Sequence, residues 1–128
     1  MKVKIEELSL HSDARGCVFE PLVASELGTQ RNVHIVLTEP GHIRGNHYHV
    51  RGTEILAVVG PALVRFKENG QISEIEVAEK HAIRLTIPPG IAHAIKNSGT
   101  TTGLLIGFNT VEHDPAQPDV VRDMLIVP

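Results

Sequence analysis

The 128-residue chain has 41% apolar and 21% charged side chains and a formal net charge of −3, which suits one soluble globular domain with one core. No basic stripe offers a nucleic-acid surface. No apolar run nears the roughly 20 residues of a membrane span, and no continuous apolar leader opens the chain. Cys17 is the only cysteine, so no internal disulfide can form. A cytoplasmic location is the resulting expectation.

In chain order, Ala24 to Gly28 is expected as a turn, and no long helix follows. Turn signals then recur at Glu39-Pro-Gly41, Gly60-Pro61, Glu68-Asn-Gly70, Pro88-Pro-Gly90 and Asn97-Ser-Gly99. The runs between them are short and rich in Val, Ile, Leu and Thr, the pattern of an all-β sandwich or barrel. Asn69-Gly70 is the strongest hairpin signal, because both residues tolerate positive φ. Val33, Ile35 and Leu37 share one face of an early strand, with His34 and Val36 on the other. In Glu54 to Val59, Glu54 shares a face with Leu56 and Val58. In Ala92 to Asn97, His93 shares a face with Ile95 and Asn97. Both ionisable groups therefore project inward, where an unpaired carboxylate is costly and a cation would offset the cost. Pro118 to Met124 is expected as a short turn.

His47 and His49 stand two residues apart, which in a strand places both imidazoles on one face. Glu54 follows them, and Pro88-Pro-Gly90 delivers His93 after a tight turn. Three imidazoles and a carboxylate suit a divalent transition metal, with zinc favoured and Mn, Fe or Ni as alternatives. Tyr48, between the two histidines, faces the other way and packs. Arg51, Arg65, Lys67 and Arg84 read as solvated strand residues, and His11, His81 and His113 as surface residues. Asp13, Arg15 and Gly16 read, on sequence alone, as an exposed turn.

These residues resemble the cupin superfamily. Gly41, His47, His49, Glu54 and Gly60 follow its first motif, with the last gap one residue short. Pro88, Gly90, His93 and Asn97 follow its second, although Ala82 stands where a glycine is usual. The resemblance implies an all-β double-stranded β-helix, or jelly-roll barrel, with metal ligands at His47, His49, Glu54 and His93. It frames the chain as a single cupin domain of 1–128: an arm of about 1–30, a metal-binding barrel of about 31–112 and a tail of about 113–128.

Ser12-Asp-Ala-Arg-Gly16, with Glu20 nearby, is similar to the arm of nucleotide-sugar cupins, the dTDP-4-keto-6-deoxyhexose epimerases and 3,4-ketoisomerases. Arg44-Gly-Asn-His-Tyr-His49 looks like their core, and more closely like the C-terminal cupin domain of capsular-polysaccharide UDP-sugar reductases. No glycine-rich dinucleotide loop is present, so the reductase half of those enzymes has no counterpart here. The resemblance implies C3 epimerisation or keto-isomerisation of a nucleotide-linked 4-keto sugar. The metal would act as a Lewis acid, and a base chosen from Glu20, His34 and His42 would remove the proton. Arg15 and Arg44 would clamp a diphosphate, with Asn97 and Asn109 as further substrate-binding residues. The four aromatic residues, Phe19, Tyr48, Phe66 and Phe108, leave little for base stacking. Two other readings fit the same ligand set: an iron-dependent cupin dioxygenase, and a non-catalytic metal- or sugar-binding cupin. Homodimers are expected, with Val33, Ile35 and Leu37 at the interface, and no nucleic-acid or membrane partner.

Overall fold

The structure, a computed structural model, describes residues 2–128. The elements in order are β1 (Lys4–Glu7), β2 (His11–Asp13), β3 (Gly16–Val18), α1 (Ala24–Leu27), β4 (Asn32–Thr38), β5 (Ile43–His49) and β6 (Glu54–Val59). Next come β7 (Ala62–Glu68), β8 (Gln71–Val77), β9 (Ala82–Ile87), β10 (Ala92–Asn97), β11 (Gly103–Asn109) and β12 (Val120–Arg122). Two five-stranded sheets, ordered β1-β9-β6-β11-β4 and β12-β5-β10-β7-β8, face one another as an antiparallel jelly roll. The hairpin β2-β3 stands apart from both and is exposed throughout.

The alternation of side chains builds the core between the sheets. Leu56 and Val58 from one sheet meet Val64 and Phe66 from the other, with Leu85 and Ile87 beside them. A fully buried side chain of this kind contributes about 1.5–3 kcal/mol. The β7-β8 hairpin turns at Asn69 and Gly70, with φ of 50° and 76°, as the dipeptide predicts.

A second, smaller cluster lies on the outer face, where Ala92 and Ala94 pack with Leu125, Ile126, Ile43 and Tyr48. Tyr48 thus faces away from the histidines on either side of it. The tail corrects one expectation. Residues 118–124 do not form a turn but contain β12, which pairs with β5 through Val120↔His49 and Arg122↔His47. An otherwise open edge of β5 has backbone groups to satisfy, and the tail satisfies them.

Arg65, Lys67 and Arg84 are paired and shielded rather than solvated, whereas Arg51, in the loop after β5, stays 56% exposed as expected. Arg84 is buried at 6% exposure, with Glu6 2.9 Å away and the Pro21 carbonyl accepting a bond. Arg65 bonds Glu74 and the Leu125 carbonyl, Lys67 meets Asp123, and Arg51 meets Asp119. Apart from Glu74, which faces Arg65 across the β7-β8 hairpin, these partners lie far off in sequence, where alternation could not reveal them. Among the described residues, no helix is long and apolar enough to cross a membrane.

Candidate metal centre and its cavity

Four strands deliver the site. His47 and His49 end β5, Glu54 begins β6, His93 lies at the start of β10, and Asn109 ends β11 opposite Glu54. The site therefore lies between the two sheets at one end of the barrel. His47 pairs directly with His93 across β5 and β10. The candidate ligand atoms of His47, His49, Glu54 and His93 all lie within 4.8 Å of one another. Around one ion bonded at about 2.0–2.3 Å, ligand atoms stand no more than about 4.6 Å apart, so small adjustments suffice.

The chemistry of the cluster fits a cation. His93 and Glu54 are 1% and 4% exposed. His93 Nδ1–H donates to the Ile91 carbonyl at 3.0 Å, which leaves the Nε2 lone pair facing Glu54 Oε1 at 2.9 Å. Two electron-rich atoms at that distance need a proton or a metal between them. His49 Nε2 lies 2.9 Å from Glu54 Oε2, yet it is buried and lacks a properly aligned hydrogen bond. Burial, and then the neighbouring His93 ring, depress His47 to about 4, so its imidazole is neutral at pH 7. Burial works to raise Glu54, but the adjoining His49 and His93 rings outweigh it and hold the carboxyl well below its usual range. Burial likewise opposes protonation of His49, and Glu54 followed by Asp119 outweighs it, raising this group.

A cavity of about 400 Å³ opens beside the centre. Its lining includes His34, His49, Glu54, Asn109, His113 and Asp119. Glu112 and Asp114 also line it, and no lysine or arginine does. Of the three candidate bases, only His34 reaches it. Glu20 is exposed beyond the hairpin, and His42 is exposed in the turn before β5, at the far end of that strand from His49. His34 Nδ1 faces Asn32 Oδ1 at 3.2 Å. Its ring lies against Gly107, where a Cβ would overlap Nε2 and Cε1. His113, expected at the surface, is exposed but lines the cavity rim.

The expected substrate-binding residues divide. Asn109 lines the cavity, with Oδ1 accepting the Val111 amide at 2.8 Å. Asn97 does not line it: its Nδ2 donates to the Thr38 and Thr101 carbonyls and its Oδ1 accepts the Gly99 amide. Arg44 reaches Thr38 Oγ1 and the Leu37 carbonyl, away from the cavity. Arg15 is paired with Asp13 on the exposed hairpin, its side chain 91% exposed. The sequence reading gave Asp119 no role in the site. Only its pairing to β5 through the tail brings it 3.6 Å from His49 Nδ1.

Fold and ligand constellation together define a cupin-like jelly roll with a three-histidine, one-carboxylate centre. The chain belongs to the polysaccharide biosynthesis C-terminal domain family, whose profile matches residues 11–121. It is 30% identical over 131 residues to the spore coat polysaccharide biosynthesis protein SpsL of Bacillus subtilis strain 168, covering 94% of this chain and 86% of SpsL. The fold is similar to that of a dTDP sugar isomerase from Desulfovibrio desulfuricans G20, with TM-score 0.78 and 17% identity over 94% of this chain and 83% of the other. It is also similar to the capsular polysaccharide assembling protein CapF of Staphylococcus aureus, with TM-score 0.69 and 28% identity over 92% of this chain. The match covers 33% of CapF, so this chain corresponds to about one third of that protein.

Proposed function

We propose that the chain is a metal-dependent enzyme of polysaccharide biosynthesis that moves a proton beside the carbonyl of a nucleotide-linked 4-keto sugar, by C3 epimerisation or keto-isomerisation. The observation that carries this reading is a four-residue ligand cluster opening onto a cavity that also holds a histidine outside the ligand set. Similarity to a sugar isomerase and to polysaccharide biosynthesis proteins supports the substrate class.

His47, His49, Glu54 and His93 would hold the metal. When bound, a divalent ion supplies Lewis-acid stabilisation of charge developing on a carbonyl oxygen. His34 is the base. Donation of its Nδ1–H to Asn32 leaves Nε2 with a lone pair, and Gly107 leaves that ring room. Asn109 offers Nδ2 toward the cavity side of His49, 3.4 Å from Nδ1. The acidic lining favours a neutral sugar ring in the cavity and leaves the nucleotide diphosphate outside it.

The test is to incubate metal-loaded protein with UDP- and dTDP-linked 4-keto-6-deoxy sugars in deuterated water and follow C3 by NMR. Deuterium at C3 that falls strongly in a His34→Gln variant is the expected result. Absence of exchange with every sugar overturns the reading. Oxygen uptake by the iron-loaded protein would then indicate a dioxygenase, and tight binding without turnover a binding module.

A further inference from the structure

We propose that Asp119 is a positioning residue for the metal centre: its carboxylate keeps the proton of His49 on Nδ1 and so presents Nε2 to the ion as a lone pair. This inference rests on the metal reading above and extends it to a residue outside the ligand set.

An imidazole that binds metal through Nε2 must carry its proton on Nδ1, and that N–H needs an acceptor. His93 obtains one from the main chain, the Ile91 carbonyl at 3.0 Å. His49 has no such carbonyl. Two side chains face its Nδ1 instead, Asn109 Nδ2 at 3.4 Å and Asp119 Oδ2 at 3.6 Å. They select opposite tautomers. Asn109 Oδ1 is committed to the Val111 amide, which turns its NH2 toward His49. An amide NH2 only donates, so it favours an unprotonated Nδ1 and moves the proton to Nε2, beside Glu54. Asp119 only accepts, so it favours the ligating tautomer. Once formed, a bond to a fully charged acceptor is the stronger of the two.

Asp119 is built in place for this. Its Oδ1 accepts the Arg51 amide at 2.9 Å and Arg51 Nε at 3.2 Å, and its Oδ2 accepts the Gly52 amide at 2.9 Å. Its carbonyl accepts the Val50 amide at 2.8 Å. The side chain is 12% exposed. Gly52 leaves the space: a Cβ there would strike the Asn109 side chain and push it from its bond to Val111. At 3.6 Å the Asp119–His49 pair is an electrostatic contact, and a shift of about 0.5 Å converts it to a hydrogen bond.

The experiment compares wild type with Asp119→Asn, which keeps the shape but can present an NH2 to the ring. Zinc affinity is measured by competition with a chromophoric chelator. The His49 tautomer is read from long-range proton–nitrogen NMR spectra of the metal-free and zinc-loaded proteins. The expected result is a 10- to 100-fold weaker zinc affinity in the variant. A larger fraction of His49 protonated on Nε2 in its metal-free form should accompany it. A change in folding alone would not move that signature. Wild-type binding with variant affinity within twofold overturns this proposal and leaves the metal reading standing, whereas a wild type that binds no zinc overturns both. If the variant does not fold, the zinc-loaded wild type decides. A proton on His49 Nδ1 supports the proposal, and coordination through Nδ1 overturns it.

Discussion

Asn46 and Ile126 are bonded to each other twice: Asn46 Nδ2 donates to the Ile126 carbonyl at 3.0 Å, and Asn46 Oδ1 accepts the Ile126 amide at 3.0 Å. The Leu125 amide adds a bond to the same oxygen at 2.8 Å. Asn46 is the extra residue of a bulge in β5, at φ 58°, and that bulge places His47 opposite His93. The C-terminal tail is therefore tied to the residue that sets the register of a candidate ligand. Asn46→Ala should cost about 2–4 kcal/mol, combining orphaned buried groups with strain at positive φ. Asn46→Gly should recover about 1 kcal/mol of that loss by removing the strain alone. Urea denaturation of the metal-free proteins measures both, and equal stability of the two variants would contradict the strain argument.

Gly107 gives a way to disturb His34 without touching the ligands. Gly107→Ala must displace the His34 ring, at a cost of about 1–3 kcal/mol in stability. Exchange at C3 should fall at least tenfold while bound metal stays at the wild-type level. Loss of metal together with activity would show that Gly107 supports the centre and not the base.

Stability of the metal-free protein should depend on pH with a definite sign. The folded value of His47, about 4, lies below its unfolded value, so its contribution is complete above about pH 6.5 and is lost as pH falls toward 4. Glu54 is also depressed, and its contribution is lost below about pH 4.5. His49 is raised, so its contribution is present below about pH 6.5 and fades at higher pH. Thermal midpoints across pH 4–8 should fall on the acid side, and His47→Gln should flatten the limb between pH 6.5 and 4. An unchanged limb in that variant would place the dependence elsewhere.

Much of the centre was legible because two strand periods and two turns carry it. His47, His49, Glu54 and His93 each sit where alternation sends side chains inward, and the structure brings them together. Three features were not legible. Asp119 acts across a pairing of β12 with β5, which no local pattern encodes. Arg84 is consumed by Glu6, far off in sequence, and Asn97 by distant Thr38 and by its own following turn, so their charge or polarity alone suggested solvent or substrate. The proposal of His34 as the base needed the cavity, since Glu20, His34 and His42 look alike until the fold separates them.

The exposed face of β4 carries Val33, Ile35 and Leu37 at 58%, 67% and 61% exposure, a row that a second copy would cover. Light scattering should give about twice the 13.9 kDa chain mass. Ile35→Lys should shift the protein to monomer without loss of fold. A monomer at all concentrations for the unmodified protein would contradict the dimer.

Metal content is the most direct measurement of the central claim, that His47, His49, Glu54 and His93 form one metal centre. Elemental analysis of protein purified without chelator should give close to one divalent ion per chain. The double replacement of His49 and His93 by Ala should abolish that content while the circular dichroism of the sheets persists. Metal retained in the folded double variant, or none in the unmodified protein after incubation with zinc, manganese, iron or nickel, would contradict the account.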